Sequence, residues 1–385
     1  MKRIFVFLTN LLVFITCLCQ IDVPKLQKEV EQLRGLKFKN PIKVEYVSGE
    51  QMGQIIKKEI ARQFAKNKLD DYEKSLKIFG LIPKKSNLKT LIETLYESQV
   101  AGMYDNKTKK MYILKIFNTE DVDPLFDISS NFNLQEVFIV HELNHALTDD
   151  NFDYDKHLNL EKIENEDMQL ASLSVAEGDA TLVMIKYLAK KMNLGNSDIK
   201  NIFSLISDSS YFESFMSEAF PLYLRESIIF SYREGLNFIN IVTKGESKKT
   251  DALYQKPPMS TEEVIFPEKY LKGDDPPREV KIVQEELSQR KENKKIWEGT
   301  WGYFGTEIIL RSWGIDKESA KSGATGWEGD RYEVYFDKSG KICALWKTLW
   351  ENEIEAREFE QIVLKKAKIQ VKRISTTVYI DIKGD

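Results

Sequence analysis

His141, Glu142 and His145 form an His-Glu-x-x-His element, and Glu177 follows inside a second helical pattern. On a helix, positions 141 and 145 lie one turn apart, so both imidazoles can point at a single metal ion while Glu142 projects beside them toward a bound water. Two of the chain's three histidines fall in this element, inside the apolar run Val137-Phe138-Ile139-Val140 that Leu143, Ala146 and Leu147 continue. Phe138, His141, Glu142, His145 and Asp149 share one helical stripe. Polar groups set in an apolar helix need partners, and a metal supplies them. The chemistry this pattern predicts is a zinc site. His141, His145 and Glu177 are its ligands, a fourth position is open for water, and Glu142 is the general base. A chance match on a surface helix is the bland alternative, and the apolar setting weighs against it.

Such a site needs two helices that meet. Asn133 is a reasonable N-cap for the first, and the polar link Asp149-Asp150-Asn151 leads to the second, predicted over about 165–192. There Leu170, Leu173, Ala180 and Met184 recur at helical spacing with Glu177 on the same side. Ala176, Gly178 and Ala180 are small, which predicts a close approach to the metal helix. Upstream, the pattern predicts a helix over 23–36, a strand over 42–47, helical sequence over 50–79 ending at Gly80, and a helix over 88–99. A β-hairpin then runs from Val100–Tyr104 through Asp105-Asn106-Lys107-Thr108 to Met111–Leu114. Downstream, helices are expected within 197–242. Residues 244–280 read as loop-rich, with Pro257-Pro258, Pro267 and Pro276-Pro277 and a capping box at Ser260-x-x-Glu263.

From Trp297 onward the character changes, because all six tryptophans lie in this tail. Strands are expected at 332–336, 342–348 and 374–382, with a helix near 354–367. The fold class is therefore α+β: a mainly helical, zincin-like catalytic domain with a small N-terminal sheet, plus a small C-terminal α+β unit. The division is a leader over 1–19, an N-terminal α/β part over 20–130, a helical zinc-binding part over 131–295, and the C-terminal unit over 296–385. The tryptophans are expected to support the fold, with a substrate-facing role as the alternative.

The chain has 385 residues, 42% of them hydrophobic and 30% charged, with a net charge of −4. That describes a globular protein with no basic excess for nucleic acid. Lys2 and Arg3 followed by an apolar run from Ile4 to Leu18 read as a secretory leader cut before Gln20. The competing reading is a lipoprotein leader lipidated at Cys17 or Cys19. Either way the expected location is extracytoplasmic, secreted or anchored to the membrane at the cell surface. Without the leader only Cys343 remains, so no intramolecular disulfide is expected, and Cys343 reads as a buried strand residue.

The segments His141–Asp150 and Val175-Ala176-Glu177-Gly178-Asp179-Ala180-Thr181 resemble the gluzincins, zinc peptidases with two helix histidines and a glutamate ligand from a later helix. More closely, the chain is similar to a sparsely characterised group of predicted secreted bacterial and archaeal metallopeptidases. The similarity continues through Glu97–Asp105, Tyr232-Arg233-Glu234-Gly235, Pro257–Glu263 and Gly326–Arg331. The resemblance implies Zn2+ as cofactor, a peptide or protein substrate, and Glu142 shuttling a proton from the attacking water to the leaving amine. It also implies an oxyanion donor, for which Tyr232 is preferred over His157, and carboxylates orienting the ligand imidazoles, for which Asp149 and Asp179 are the candidates. In thermolysin-like peptidases an edge strand beside the metal helix holds extended substrate. Three departures stand out. Asp150 replaces a common glutamine, Phe266 replaces a common histidine, and Thr181 stands where an aspartate often follows the ligand glutamate. A non-catalytic, zinc-stabilised binding or envelope-assembly protein is the alternative from another class, and hydrolysis of a non-peptide amide would use the same residues.

Overall fold

The computed structural model of the chain describes residues 21–63, 68–97, 102–115, 134–158, 165–195, 220–283, 294–366 and 369–384. The leader with Cys17 and Cys19, the Asn133 cap, the start of the hairpin at Val100 and the first helical stretch after 197 lie outside the described residues. Among those described, no helix is long and apolar enough to cross a membrane.

Local signals set the first elements. The Asp22 side chain accepts from the Lys25 backbone N–H, Pro24 stands in the first turn, and Gly35 takes φ 77°, which together bound α1 (Val23–Arg34). The alternating stretch forms β1 (Lys43–Val47). The helical run expected over 50–79 is two helices, α2 (Gly49–Gln63) and α3 (Lys68–Ile78), and α4 (Leu88–Glu97) follows. The hairpin is β2 (Gly102–Asp105) and β3 (Lys110–Leu114). These strands form a three-stranded sheet in the order β1-β3-β2, with β1 parallel and β2 antiparallel to β3. Strand β2 is thus an edge.

Next come α5 (Leu134–Phe152), α6 (Tyr154–His157), α7 (Glu166–Lys191) and α8 (Leu222–Thr243). The segment expected to be loop-rich is instead largely helical: α9 (Ser247–Gln255), α10 (Thr261–Ile265) and α11 (Pro267–Lys272). Pro267 starts a helix rather than breaking one, since the first turn needs no backbone donor there. Ser260 caps α10 by accepting from Glu263 N–H, while the Glu263 carboxylate turns back to the Met259 N–H at 2.6 Å.

The tail holds β4 (Lys294–Gly299), α12 (Gly302–Ser312), α13 (Lys317–Ala324), β5 (Trp327–Phe336), β6 (Ile342–Trp350), α14 (Glu353–Val363), β7 (Ile369–Ile374) and β8 (Thr377–Lys383). They build an antiparallel sheet in the order β4-β5-β6-β8-β7. The strand expected over 374–382 is β8, and β7, joined to it by a turn at Ser375 with φ 52°, precedes it as a further strand. Mixed α+β with mainly helical content is the class observed.

Two cores matter for the site. One unites α3, α7, α8 and the C-terminal sheet: the Phe79 ring lies 5.1, 5.2 and 5.8 Å from those of Trp301, Tyr332 and Trp346. Five tryptophans are buried here and Trp313 is half-buried, so these side chains support the fold. The tail therefore shares a core with α7 and α8. The other core seats α5: Val140, Leu143 and Leu147 pack with Val30 of α1, Met111 and Ile113 of β3, and Val183 and Tyr187 of α7. Cys343 is buried in β6, as its strand context predicted.

Candidate metal centre

Helices α5 and α7 run antiparallel, because the Tyr187 hydroxyl donates to Glu136 at 2.7 Å while Glu177 meets His141. That crossing brings three ligand atoms together. His141 Nε2 lies 3.0 Å from His145 Nε2 and 3.1 Å from Glu177 Oε2, and His145 Nε2 lies 3.5 Å from the same oxygen. A tetrahedral zinc bound at 2.0–2.1 Å would set its ligand atoms roughly 3.3–3.4 Å apart, close to this triangle. The three side chains are 6%, 11% and 15% exposed. The group could hold a metal ion.

Electrostatics agree with the spacing. Burial alone would raise the Glu177 carboxyl, yet the two imidazoles override it and hold the group well below the usual carboxylate range. Burial would lower His145, but Glu177 beside it pushes the imidazole up to about 9. The cluster thus stabilises a positive charge between its members. In the metal-free protein a proton on His145 provides it, and a divalent cation is the alternative. The Glu142 carboxylate accepts the Tyr104 backbone N–H at 2.8 Å, and its pKa is raised, with burial outweighing the nearby imidazoles. A raised carboxyl holds a proton more readily than an ordinary one.

Tyr232 arrives from α8. Its ring stacks on His141 at 5.4 Å with an interplanar angle of 13°. A glycine pair permits this approach: a Cβ on Gly178 would lie 2.3 Å from the Gly235 backbone, and one on Gly235 would lie 2.3 Å from the Ser174 carbonyl. Gly178 was expected to bring α7 against the metal helix. It faces α8 instead, and so positions Tyr232, one turn from Gly235, over the ligand.

The two orienting carboxylates are corrected by the geometry, since neither bonds an imidazole. Asp149 accepts from the Tyr104 hydroxyl at 2.7 Å, Lys109 Nζ at 2.7 Å and the Tyr154 N–H at 3.0 Å. Asp179 is held by Arg34 Nε at 2.8 Å and the Tyr254 hydroxyl at 3.0 Å. Both carboxylates are claimed by stronger or closer donors before a ring N–H can reach them. His145 Nδ1 faces the Tyr154 hydroxyl at 3.4 Å, and His141 Nδ1 is buried with no hydrogen-bond partner among the described residues. Sequence reasoning missed Tyr154, Tyr104 and Arg34. A tyrosine shortly after the motif was a readable signal for the first. The other two are distant in sequence and carried none. His157 is half-buried at the end of α6 and is not one of the clustered ligands. Phe266 packs edge-on against Tyr303.

The chain matches a family described as Domain of unknown function (DUF8575) over residues 291–380, which covers the C-terminal sheet and not the metal cluster. It is also similar to a solved structure from Chloroflexus aurantiacus described as "a putative hydrolase with a novel fold". The identity is 15%, over 67% of this chain and 88% of that one, with a TM-score of 0.39. No curated protein matches the chain.

Proposed function

We propose that this chain is a zinc-dependent peptidase, secreted or anchored at the cell surface, with His141, His145 and Glu177 as metal ligands and Glu142 as general base. The observation that carries the reading is the triangle of two Nε2 atoms and one carboxylate oxygen, with edges of 3.0, 3.1 and 3.5 Å, beside a second buried carboxylate with a raised pKa. Zinc held there would polarise a carbonyl and acidify its water toward about 7.

The chain's own groups supply the rest. Glu142 takes the proton of the attacking water and returns it to the leaving amine. The Tyr232 hydroxyl, on the ring stacked over His141, is the candidate donor to the developing oxyanion. Edge strand β2 offers backbone to an extended peptide: Tyr104 N–H points at Glu142, and by strand alternation the backbone groups of Gly102 point the same way. A peptide pairing there lies beside the base. The leader and its cysteines support an extracytoplasmic site of action, free or lipid-anchored.

The test uses the mature chain, with zinc content measured alongside cleavage of casein and a peptide library. Glu142→Gln should keep stoichiometric zinc and lose cleavage by about a thousandfold or more. Full zinc with no cleavage of any peptide by the unaltered chain would favour a binding protein over an enzyme.

A further inference from the structure

We infer that Tyr154, acting through Thr148, is a positioning residue that selects which nitrogen of His145 is presented to the metal. Proton direction carries the argument. Thr148 Oγ1 lies 2.7 Å from the Asn144 carbonyl oxygen, which can only accept, so the threonine proton is committed there. Tyr154 Oη lies 2.6 Å from the same Oγ1, so the phenol must donate to it. The phenol oxygen is left with lone pairs, and these face His145 Nδ1 at 3.4 Å. Only an Nδ1–H can bond to them. His145 is thereby held with its proton on Nδ1 and its Nε2 lone pair turned toward His141 and Glu177.

The chain of donors runs from Nδ1–H to Oη–H to Oγ1–H to a carbonyl, every proton directed away from the metal. At 3.4 Å the first link is long, and among the described residues it is the hydrogen bond that His145 Nδ1 makes. The phenol is held on two further sides. Tyr254 stacks on it at 5.8 Å and 12°, and Asp149 accepts the Tyr154 backbone N–H. Asp149 also accepts from the Tyr104 hydroxyl, whose residue binds Glu142 through its N–H, so one carboxylate ties the histidine's orienter to the base's. Among the described residues His141 has no such support, since its Nδ1 is buried without a partner there.

This role rests on the zinc reading, and the experiment separates the two. Zinc affinity of the metal-stripped chain is measured by chelator competition for the unaltered protein, Tyr154→Phe, Thr148→Val and the double variant, with apo melting temperatures as a folding control. Each single variant is nearly isosteric and should weaken zinc about 10–100-fold. The double should be no weaker than the weaker single, because Thr148 has nothing to orient once the hydroxyl is gone. Affinity within about twofold of the unaltered protein in Tyr154→Phe, or losses that multiply in the double, overturn the assignment. If the unaltered chain takes up no zinc, the metal reading fails, and ring 15N shifts of the metal-free protein near pH 10 decide the relay alone. An Nδ1–H His145 that becomes a tautomer mixture in Thr148→Val supports it, and an unchanged ring overturns it.

Discussion

Because Glu177 pushes the His145 imidazole up to about 9 in the metal-free protein, a metal ion binding at neutral pH must displace a proton from Nε2. Apparent zinc affinity should therefore rise about tenfold per pH unit across roughly pH 6.5–8.5 and level off above about 9. Chelator competition across that range reads the slope directly, and a flat profile would mean that no proton is displaced. The Tyr232 hydroxyl is separable from its ring in the same way. Tyr232→Phe keeps the stack on His141 and should lower kcat by about a hundredfold with zinc content unchanged, as measured by steady-state kinetics and metal analysis. An unaltered kcat would leave Tyr232 a packing role. At this scale the clustered residues were legible, since two histidines a turn apart and an acid between them depend only on the helical period. Tyr154 and the engagement of Asp149 and Asp179 were not legible, because a hydrogen bond belongs to whichever donor the fold brings nearest.

The approach of α7 to α8 is set by one pair of glycines. A Cβ on Gly178 would fall 2.3 Å from the Gly235 backbone, so Gly178→Ala forces the helices apart and should destabilise the fold by about 1–3 kcal/mol. Thermal denaturation measures that loss, and Tyr232 should retreat from His141 with it. A variant as stable as the original would mean that the helices can slide without strain. The small residues around Glu177 announced a close contact in the sequence, but not with which helix. A glycine states that a backbone comes near and not whose backbone it is. The prolines between 257 and 277 misled in a related way, since a proline reads alike in a loop and at a helix start.

Across the whole molecule, buried titrating groups with raised values act in the same direction. Burial pushes Glu166 and Glu262 up to about 7, the latter against the pull of Lys269. Groups with raised folded values contribute stability that is full below their unfolded values and lost as pH rises through the folded ones. For the two glutamates that window runs from about 4.5 to 7, and for His145 from about 6.5 to 9. The metal-free protein should accordingly melt at progressively lower temperature from about pH 5 to 9. Saturating zinc should flatten the upper half of that decline, because metal affinity increases over the same interval. Scanning calorimetry with and without zinc checks both, and a metal-free melting temperature that climbs with pH would contradict the assignment. Glu166 sits where α7 meets the tail, accepting from the Tyr332 hydroxyl and the Thr300 N–H, so its titration loosens the joint between the helix of Glu177 and the C-terminal sheet.

The amino-acid order alone determined the α+β class, the helix of His141 and His145, the helix of Glu177, the hairpin and the four residues that could do chemistry. Each of these depends on periodicity, capping or turn preference over a few neighbouring residues. Tertiary structure alone decided that Glu177 reaches both imidazoles and that Tyr232 stacks on one of them. It also decided that a tyrosine rather than an aspartate faces the other, and that the tryptophan-rich tail shares its core with α7. These are contacts between segments far apart in the chain. Their partners are chosen by the packing of whole helix faces, and no local pattern records that choice.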